Sequence, residues 1–121
     1  MGKIMFIDDD PMVLRMAGFI IKKCGCQILT ADCGKQGLNT ATEQQPHIIF
    51  VDAEMPEMNG FEVISQLKAD SSVADIPVYL MSGTVTDEIK LKAKQLGAVD
   101  TVEKPLKPEI IIGIVKNSGG I

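Results

Sequence analysis

The sequence contains no tryptophan, a single tyrosine and only three cysteines. A protein that binds a flavin by stacking needs aromatic side chains, so their scarcity argues against an electron carrier of that kind. Three cysteines cannot all pair within one chain, and Cys24-Gly25-Cys26 has neither the two-residue spacer nor the second ligand pair of a zinc site. We therefore expect reduced thiols, with Cys24 and Cys26 near a helix end.

Long apolar runs and an excess of positive charge are also missing. No apolar run approaches the roughly 20 residues that span a bilayer, and Met1-Gly2-Lys3-Ile4 leaves no space for the charged start of a signal peptide. The net charge of -4 argues against nucleic acid as a direct partner. We expect one cytoplasmic domain over residues 1–121, with no membrane partner and a frayed tail at residues 117–121.

Short apolar runs alternate along the chain with segments of helical periodicity. The runs predict strands at Lys3–Ile7, Gln27–Ala31, Ile48–Asp52, Pro77–Met81 and Val99–Glu103. The other segments predict five helices. The first begins near Pro11, the second covers Gly34–Gln44, the third contains Val63, Ile64 and Leu67, the fourth begins near Thr86, and the fifth covers Pro108–Lys116. Each parallel crossover needs a covering helix and is right-handed, so this alternation predicts a doubly wound five-stranded parallel sheet. The expected architecture is α/β, a flavodoxin-like (β/α)5 fold with strand order 2-1-3-4-5.

The same periodicity predicts which helical residues face the sheet. The expected inward residues are Leu14, Ala17, Gly18 and Ile21 in the first helix, Ile89, Ala93 and Leu96 in the fourth, and Ile111 and Val115 in the last. The last helix holds more isoleucine than one inner stripe can use. Ile110 and Ile114, another pair four residues apart, should therefore turn partly outward.

Chemically reactive residues follow four of the five predicted strands. Asp8 and Asp9 follow the first strand, Asp52 ends the third, Ser82 follows the fourth and Lys104 follows the fifth. Strands one and three are neighbours at the switch point of this topology, so the three carboxylates should converge there. Taken alone, Asp52 could instead be a helix N-cap, Ser82 a cap and Lys104 a solvated side chain.

Converging carboxylates raise one another's pKa unless a cation is present. Mg²⁺ takes oxygen ligands and keeps several waters, which suits an open site of this kind. Three carboxylates, one divalent ion and Lys104 sum to zero charge, and such a site is ready for a phosphoryl group. Asp52 would be the covalent acceptor, while Lys104 and the Ser82 hydroxyl would contact phosphoryl oxygens.

The motifs IMFIDDDP, FVDAEMPEMNGFE, VYLMSG and GAVDTVEKPL together resemble the receiver domains of two-component response regulators, and are similar to the chemotaxis receivers. The resemblance implies that Asp52 is phosphorylated by a sensor histidine kinase or a phosphotransfer protein. It implies that Asp9 and Asp52 bind Mg²⁺ directly, that Asp8 acts largely through water, and that Glu54 contributes its backbone carbonyl. Such a domain is not an enzyme on an outside substrate, since it catalyses only its own phosphorylation and dephosphorylation.

The resemblance also implies that Ser82 and Lys104 sense the phosphoryl group and that the peptide bond before Pro105 is cis. Thr101 stands where the family often has an aromatic ring that moves on activation. The signal would then depend on the loop from Ser82 to Thr86, with Thr84 at the pocket rim. It would leave through a partner face containing Ile110 and Ile114, toward an effector protein or a second copy.

Two other functions fit the same fold. A phosphatase acting on an outside substrate would need a second Asp two residues after Asp52, where this chain has Glu54. An interaction scaffold that is never phosphorylated would not need the acidic, serine and lysine residues at all. We expect the receiver function, with the scaffold as the alternative.

Overall fold

The computed structural model describes residues 2–118 of the 121-residue chain. Strands and helices alternate through it, ten elements in all. They are β1 (Lys3–Ile7), α1 (Pro11–Lys23), β2 (Gln27–Ala31), α2 (Gly34–Gln44), β3 (Ile48–Asp52), α3 (Gly60–Ala69), β4 (Val78–Ser82), α4 (Asp87–Gln95), β5 (Asp100–Glu103) and α5 (Pro108–Asn117). Within residues 2–118, no helix is long and apolar enough to cross a membrane.

The five strands form one parallel sheet in the order β2-β1-β3-β4-β5, which confirms the predicted topology. Successive side chains of a strand point to opposite faces, so each central strand supplies two cores. Met5, Ile7 and Val51 pack under α2, α3 and α4. On the other face, Phe6 and Phe50 stack at 4.5 Å under α1 and α5. Covering helices on both faces bury the central strands completely, which explains their continuous apolar sequence.

The helix ends follow from capping residues. Asp10 accepts a hydrogen bond from the backbone N–H of Met12 at 2.9 Å and caps α1, with Pro11 at the first helical position. Asn59 and Glu62 form a reciprocal capping box at the start of α3. Thr86 caps α4, as predicted. These caps position the helix starts around the carboxyl edge of the sheet.

Several predicted boundaries and inward residues were wrong. Strand β4 begins at Val78 and ends at Ser82, because Pro77 has no N–H for the ladder and Ser82 pairs with Glu103. Strand β5 begins at Asp100 rather than Val99. In α1 the buried residues are Ala17, Ile20 and Ile21, and the half-buried Leu14 packs against the same core as predicted, so the inner stripe includes Ile20 in place of Gly18. The α5 residues Ile111 and Val115 are buried as expected.

Two further details correct the sequence-based expectations. In α4 only Ala93 is buried, while Ile89 and Leu96 are half-buried at the edge of the core. In the predicted frayed tail, Asn117 is the last residue of α5 and Ser118 caps it, whereas residues 119–121 lie outside the described part of the chain. The three cysteines are free thiols, and Cys24 is the C-cap residue of α1.

Candidate functional site

Three carboxylates meet at the carboxyl edge of the sheet. Asp8 follows β1, Asp52 ends β3, and these two strands are paired in register with Ile7 opposite Val51. Asp9 joins them from the turn into α1. One carboxylate oxygen from each of the three lies within 4.8 Å of the others. Asp8 and Asp52 are buried, whereas Asp9 is exposed, so the cluster opens to solvent on the Asp9 side.

Lys104 supplies the cation of this cluster. Its Nζ lies 2.8 Å from Asp8 Oδ2 and 2.9 Å from Asp52 Oδ1, so the ammonium bridges the ends of β1 and β3. The backbone N–H of Lys104 donates to the Ser82 carbonyl at 2.8 Å, which fixes the chain where it leaves β5. The Lys104–Pro105 peptide bond is cis, as the resemblance implied.

The pKa values of this ion pair have opposing causes. Burial raises the pKa of Asp52, and the negative charge of Asp8 raises it further; the hydrogen bond from Lys104 lowers it but does not offset both. For Lys104, burial alone lowers the pKa, but the carboxylates of Asp8 and Asp52 outweigh burial and raise it. Lys104 therefore keeps its proton and its charge, while the negative charge on Asp52 is destabilised.

The cluster holds more negative charge than Lys104 neutralises. With three carboxylates and one ammonium, the formal sum is -3 + 1 = -2. Asp8 Oδ1 accepts a hydrogen bond from the Asp10 backbone N–H at 2.9 Å. Asp8 Oδ2 lies 2.8 Å from the Lys104 ammonium. The negative charge that Lys104 leaves on the three carboxylates fits a small divalent cation with oxygen ligands.

Ser82 reaches the same edge but its hydroxyl faces its own loop. The residue is buried at the end of β4, and its Oγ donates to the Thr84 carbonyl at 2.8 Å. The Thr84 N–H in turn donates to Ser82 Oγ at 3.3 Å. Thr84 and Glu54, each two residues past a residue of the site, are both exposed. For Ser82 to contact a group on Asp52, its hydroxyl must leave the Thr84 carbonyl.

Thr101, Ile110 and Ile114 lie away from the carboxylates. Thr101 is half-buried in β5 and shares a surface cleft with Ile110, which is 49% exposed. Ile114 is half-buried and shares a second cleft of about 390 Å³ with Ile110 and Tyr79. The outward direction of Ile110 is therefore as predicted, while Ile114 also packs against the core.

Two features of the site have no counterpart in the sequence-based predictions. Gly60 begins α3 directly against Asp52, and a Cβ on it would overlap the Asp52 carbonyl oxygen. The Asn-Gly-Phe-Glu segment is a readable capping signal that would have located this close approach. Lys92 of α4 lies with its Nζ 4.3 Å from the ring centroid of Phe61. No local pattern connects residues on two different helices, so this contact was not predictable.

Comparison with known proteins agrees with this geometry. The family model described as the response regulator receiver domain matches residues 4–116. Protein PilG of Pseudomonas aeruginosa is 32% identical over 114 residues, covering 94% of this chain and 84% of PilG. Protein PilH of the same organism is 30% identical over 112 residues, covering 93% of each chain.

Solved structures show the same relationship. The chemotaxis protein CheY4 of Vibrio cholerae superposes with a TM-score of 0.91 at 25% identity, covering 98% of each chain. The BeF3-activated receiver domain of DrrB has a TM-score of 0.86 at 30% identity, covering 98% of this chain and 97% of DrrB. The chain therefore belongs to the response regulator receiver domain family of two-component signal transduction.

Proposed function

We propose that the chain accepts a phosphoryl group on Asp52, in a reaction that depends on Mg²⁺, and that this modification switches a partner-binding face. The observation that carries the proposal is the Lys104 ammonium, placed 2.8 and 2.9 Å from Asp8 and Asp52 in a cluster that still has excess negative charge. A scaffold that is never phosphorylated gains nothing from this arrangement, since burying like charges costs stability.

The residues that would hold Mg²⁺ are Asp9 and Asp52 through their carboxylates, Glu54 through its backbone carbonyl and Asp8 through water. A bound Mg²⁺ would neutralise negative charge on the phosphoryl oxygens during transfer. The support for this assignment is the set of three carboxylates and the net negative charge that Lys104 leaves on them. Only a few protein carboxylates are required, because Mg²⁺ retains several of its waters.

The chain's own residues supply the rest of the chemistry. A carboxylate oxygen of Asp52 attacks the phosphorus, a new P–O bond forms, and the bond from phosphorus to the donor breaks. The leaving group departs with that electron pair: an acyl phosphate releases a carboxylate, and a phosphohistidine whose other ring nitrogen is protonated releases a neutral imidazole. The Lys104 ammonium can then hydrogen-bond a phosphoryl oxygen while it remains charged.

Ser82 is proposed to read the product. When its hydroxyl turns to the phosphoryl group, the Thr84 carbonyl loses its donor and the loop into α4 must rearrange. Thr101 carries no ring to relay this change, so the loop alone shifts the equilibrium. The coupling free energy between phosphorylation and partner binding is then expected at the low end of the usual range of about 1–3 kcal/mol.

The partners follow from this scheme. The donor is a sensor histidine kinase or a phosphotransfer protein, which draws on cytoplasmic ATP, and we place the reaction in the cytoplasm. The output is an effector protein or a second copy of the chain, bound at the face that contains Ile110 and Ile114. Neither a direct nucleic-acid contact nor a membrane contact is part of the proposal, since the net charge is -4.

The test is labelling with radioactive acetyl phosphate in Mg²⁺ and in EDTA. Wild-type protein should take up label only with Mg²⁺, and Asp52→Asn should take up none. Asp32→Asn is the matched control, because Asp32 follows β2 at the same sheet edge but is exposed and outside the cluster. Label that persists in Asp52→Asn at wild-type stoichiometry would refute the acceptor assignment.

A second measurement tests the metal site without phosphorylation. Mg²⁺ should raise the urea midpoint of the wild type. At a Mg²⁺ concentration about 100 times its Kd, the free energy of unfolding should rise by about 2.7 kcal/mol. Asp9→Ala should lose most of this increase, since one ligand is removed and outer-shell losses alone cost about 10- to 100-fold in affinity. An unchanged Mg²⁺ response in Asp9→Ala would exclude Asp9 as a ligand.

A further inference from the structure

A cleft of about 570 Å³ adjoins the chain segment that directly follows Asp52. Ala53 and Glu54 of that segment line the cleft, and so do Phe61 of α3 and Lys92 of α4. A small molecule that enters this cleft therefore contacts the residues next in sequence to the proposed acceptor.

Lys92 is held in this cleft by an aromatic ring rather than by a carboxylate. Its Nζ lies 4.3 Å from the ring centroid of Phe61, within the range of a cation–π contact. Among residues 2–118, the ion pairs are those of Lys104 with Asp8 and Asp52, so no carboxylate paired with Lys92 competes with an incoming anion. Phe61 also links α4 to α3, where α4 otherwise buries only Ala93.

The remaining charge beside the cleft repels an anionic donor. With Mg²⁺ bound, the charges of the three aspartates and Lys104 sum to zero, but Glu54 still places a carboxylate on the cleft wall. A small acyl phosphate is a dianion near neutral pH and must pass this carboxylate. A single unpaired ammonium on the cleft wall therefore has a large relative influence on its local concentration.

We propose that Lys92, positioned by Phe61, steers small anionic phosphodonors of the acyl phosphate class through this cleft to Asp52. The inference rests on the proposed phosphorylation of Asp52 and adds a residue outside the reacting centre. Lys92 changes the rate of encounter and not the bonds. The Asp52 oxygen still forms the new P–O bond, and the carboxylate of the donor still leaves with the electron pair of the broken bond.

The expected size follows from Coulomb's law. Removing one charge about 10 Å from a dianion in water should slow the reaction about two- to fourfold at 10 mM ionic strength. The same change should nearly vanish at about 0.5 M, where the Debye length is only a few ångströms. A donor with half the charge, such as phosphoramidate, should show roughly the square root of the effect.

The experiment measures the initial rate of Asp52 phosphorylation by acetyl phosphate in Mg²⁺ at low and high ionic strength. Lys92→Gln should be slowed at low salt only, and Lys92→Arg should restore the rate because it keeps the charge and the ring contact. Lys94→Gln is the matched control, since it makes the same charge change on α4 but does not line the cleft. Phe61→Leu should slow the reaction at low salt by part of the amount that Lys92→Gln does. In a chain that already carries Lys92→Gln, adding Phe61→Leu should not slow it further.

The outcomes separate the two proposals. If wild-type protein is not phosphorylated, the proposed function fails. If it is phosphorylated, and Lys92→Gln matches Lys94→Gln at low salt, the steering inference is overturned. A loss that is equal at both ionic strengths also overturns it, because a structural defect is not screened by salt.

Discussion

Gly60→Ala is expected to damage both the stability of the fold and the geometry of the acceptor. An added Cβ would overlap the Asp52 carbonyl oxygen and would lie 2.9 Å from Leu80 Cδ1. Carbon atoms normally approach to about 3.5–4.0 Å, so α3 or the end of β3 must move on the order of 1 Å. The main obstacle is a backbone oxygen in a buried strand, which cannot rotate away as a side-chain end can.

The magnitude follows from overpacking. Such a change costs about 1–3 kcal/mol, and the gain from replacing glycine in a helix is at most about 1 kcal/mol. With a central cost of about 2 kcal/mol, the net loss of about 1–2 kcal/mol should lower the urea midpoint by about 0.7–1.3 M for a slope near 1.5 kcal/mol per molar. Because Asp52 shifts relative to Lys104, phosphorylation should slow as well, by up to about 100-fold for a 1 Å misplacement.

Three other glycines provide controls. Gly18→Ala and Gly113→Ala lie in helices with open space around the new Cβ, and should stabilise by about 0.5–1 kcal/mol. In Gly37→Ala the new Cβ meets three side-chain carbons of the buried Ile7 at 2.5, 2.9 and 3.1 Å but no backbone atom of Asp52, so a loss of stability with a normal phosphorylation rate is expected. A Gly60→Ala midpoint at or above that of the wild type would show that the close approach to Asp52 is not a constraint.

Lys104→Ala should leave measurable phosphorylation but abolish any phosphorylation-dependent change in partner binding. In EDTA the variant should be less stable by about 3 kcal/mol, because two buried carboxylates lose their cation. A full conformational response to phosphorylation, seen by two-dimensional NMR, would contradict the role of Lys104. Glu54→Ala and Thr84→Ala should each change the lifetime of the aspartyl phosphate, because both rim the path of attacking water, and unchanged decay of label in both variants would exclude that role. Ile110→Glu combined with Ile114→Glu should leave labelling intact while weakening dimerisation or partner capture, measured by analytical ultracentrifugation and pull-down of the phosphorylated form. A double variant that unfolds, or binds like the wild type, would show that the partner face lies elsewhere.

Much of the architecture is readable from local sequence. Apolar runs that end in Asp52 or precede Asp8 are strands, since parallel strands are buried on both faces. The alternation with helices then leaves one topology, because crossovers are right-handed and cover both faces of the sheet. Once that topology is known, the ends of β1 and β3 must be neighbours, so the meeting of their carboxylates was predictable.

Details that depend on packing between distant segments were not readable. The α1 stripe takes in Ile20 rather than Gly18, because the contact with β2 and α5 selects the buried face and the periodicity allows both residues. The sequence places Ser82 at the end of β4 but does not show that, without a phosphoryl group, its hydroxyl donates to the Thr84 carbonyl of its own loop. Local pattern gives the position of a side chain along the chain, not its rotamer.

The sequence by itself determined the order of the elements and the residues at the strand ends, because hydrophobic period and chain direction are local properties. Tertiary structure alone decided that Asp8 is fully buried while Asp9 is exposed, and that Lys104 bridges Asp8 and Asp52. It also decided that Lys92 rests on Phe61 beside the cleft. Each of these depends on distances between residues far apart in the chain, and those distances exist only after the sheet and its two helical layers have packed.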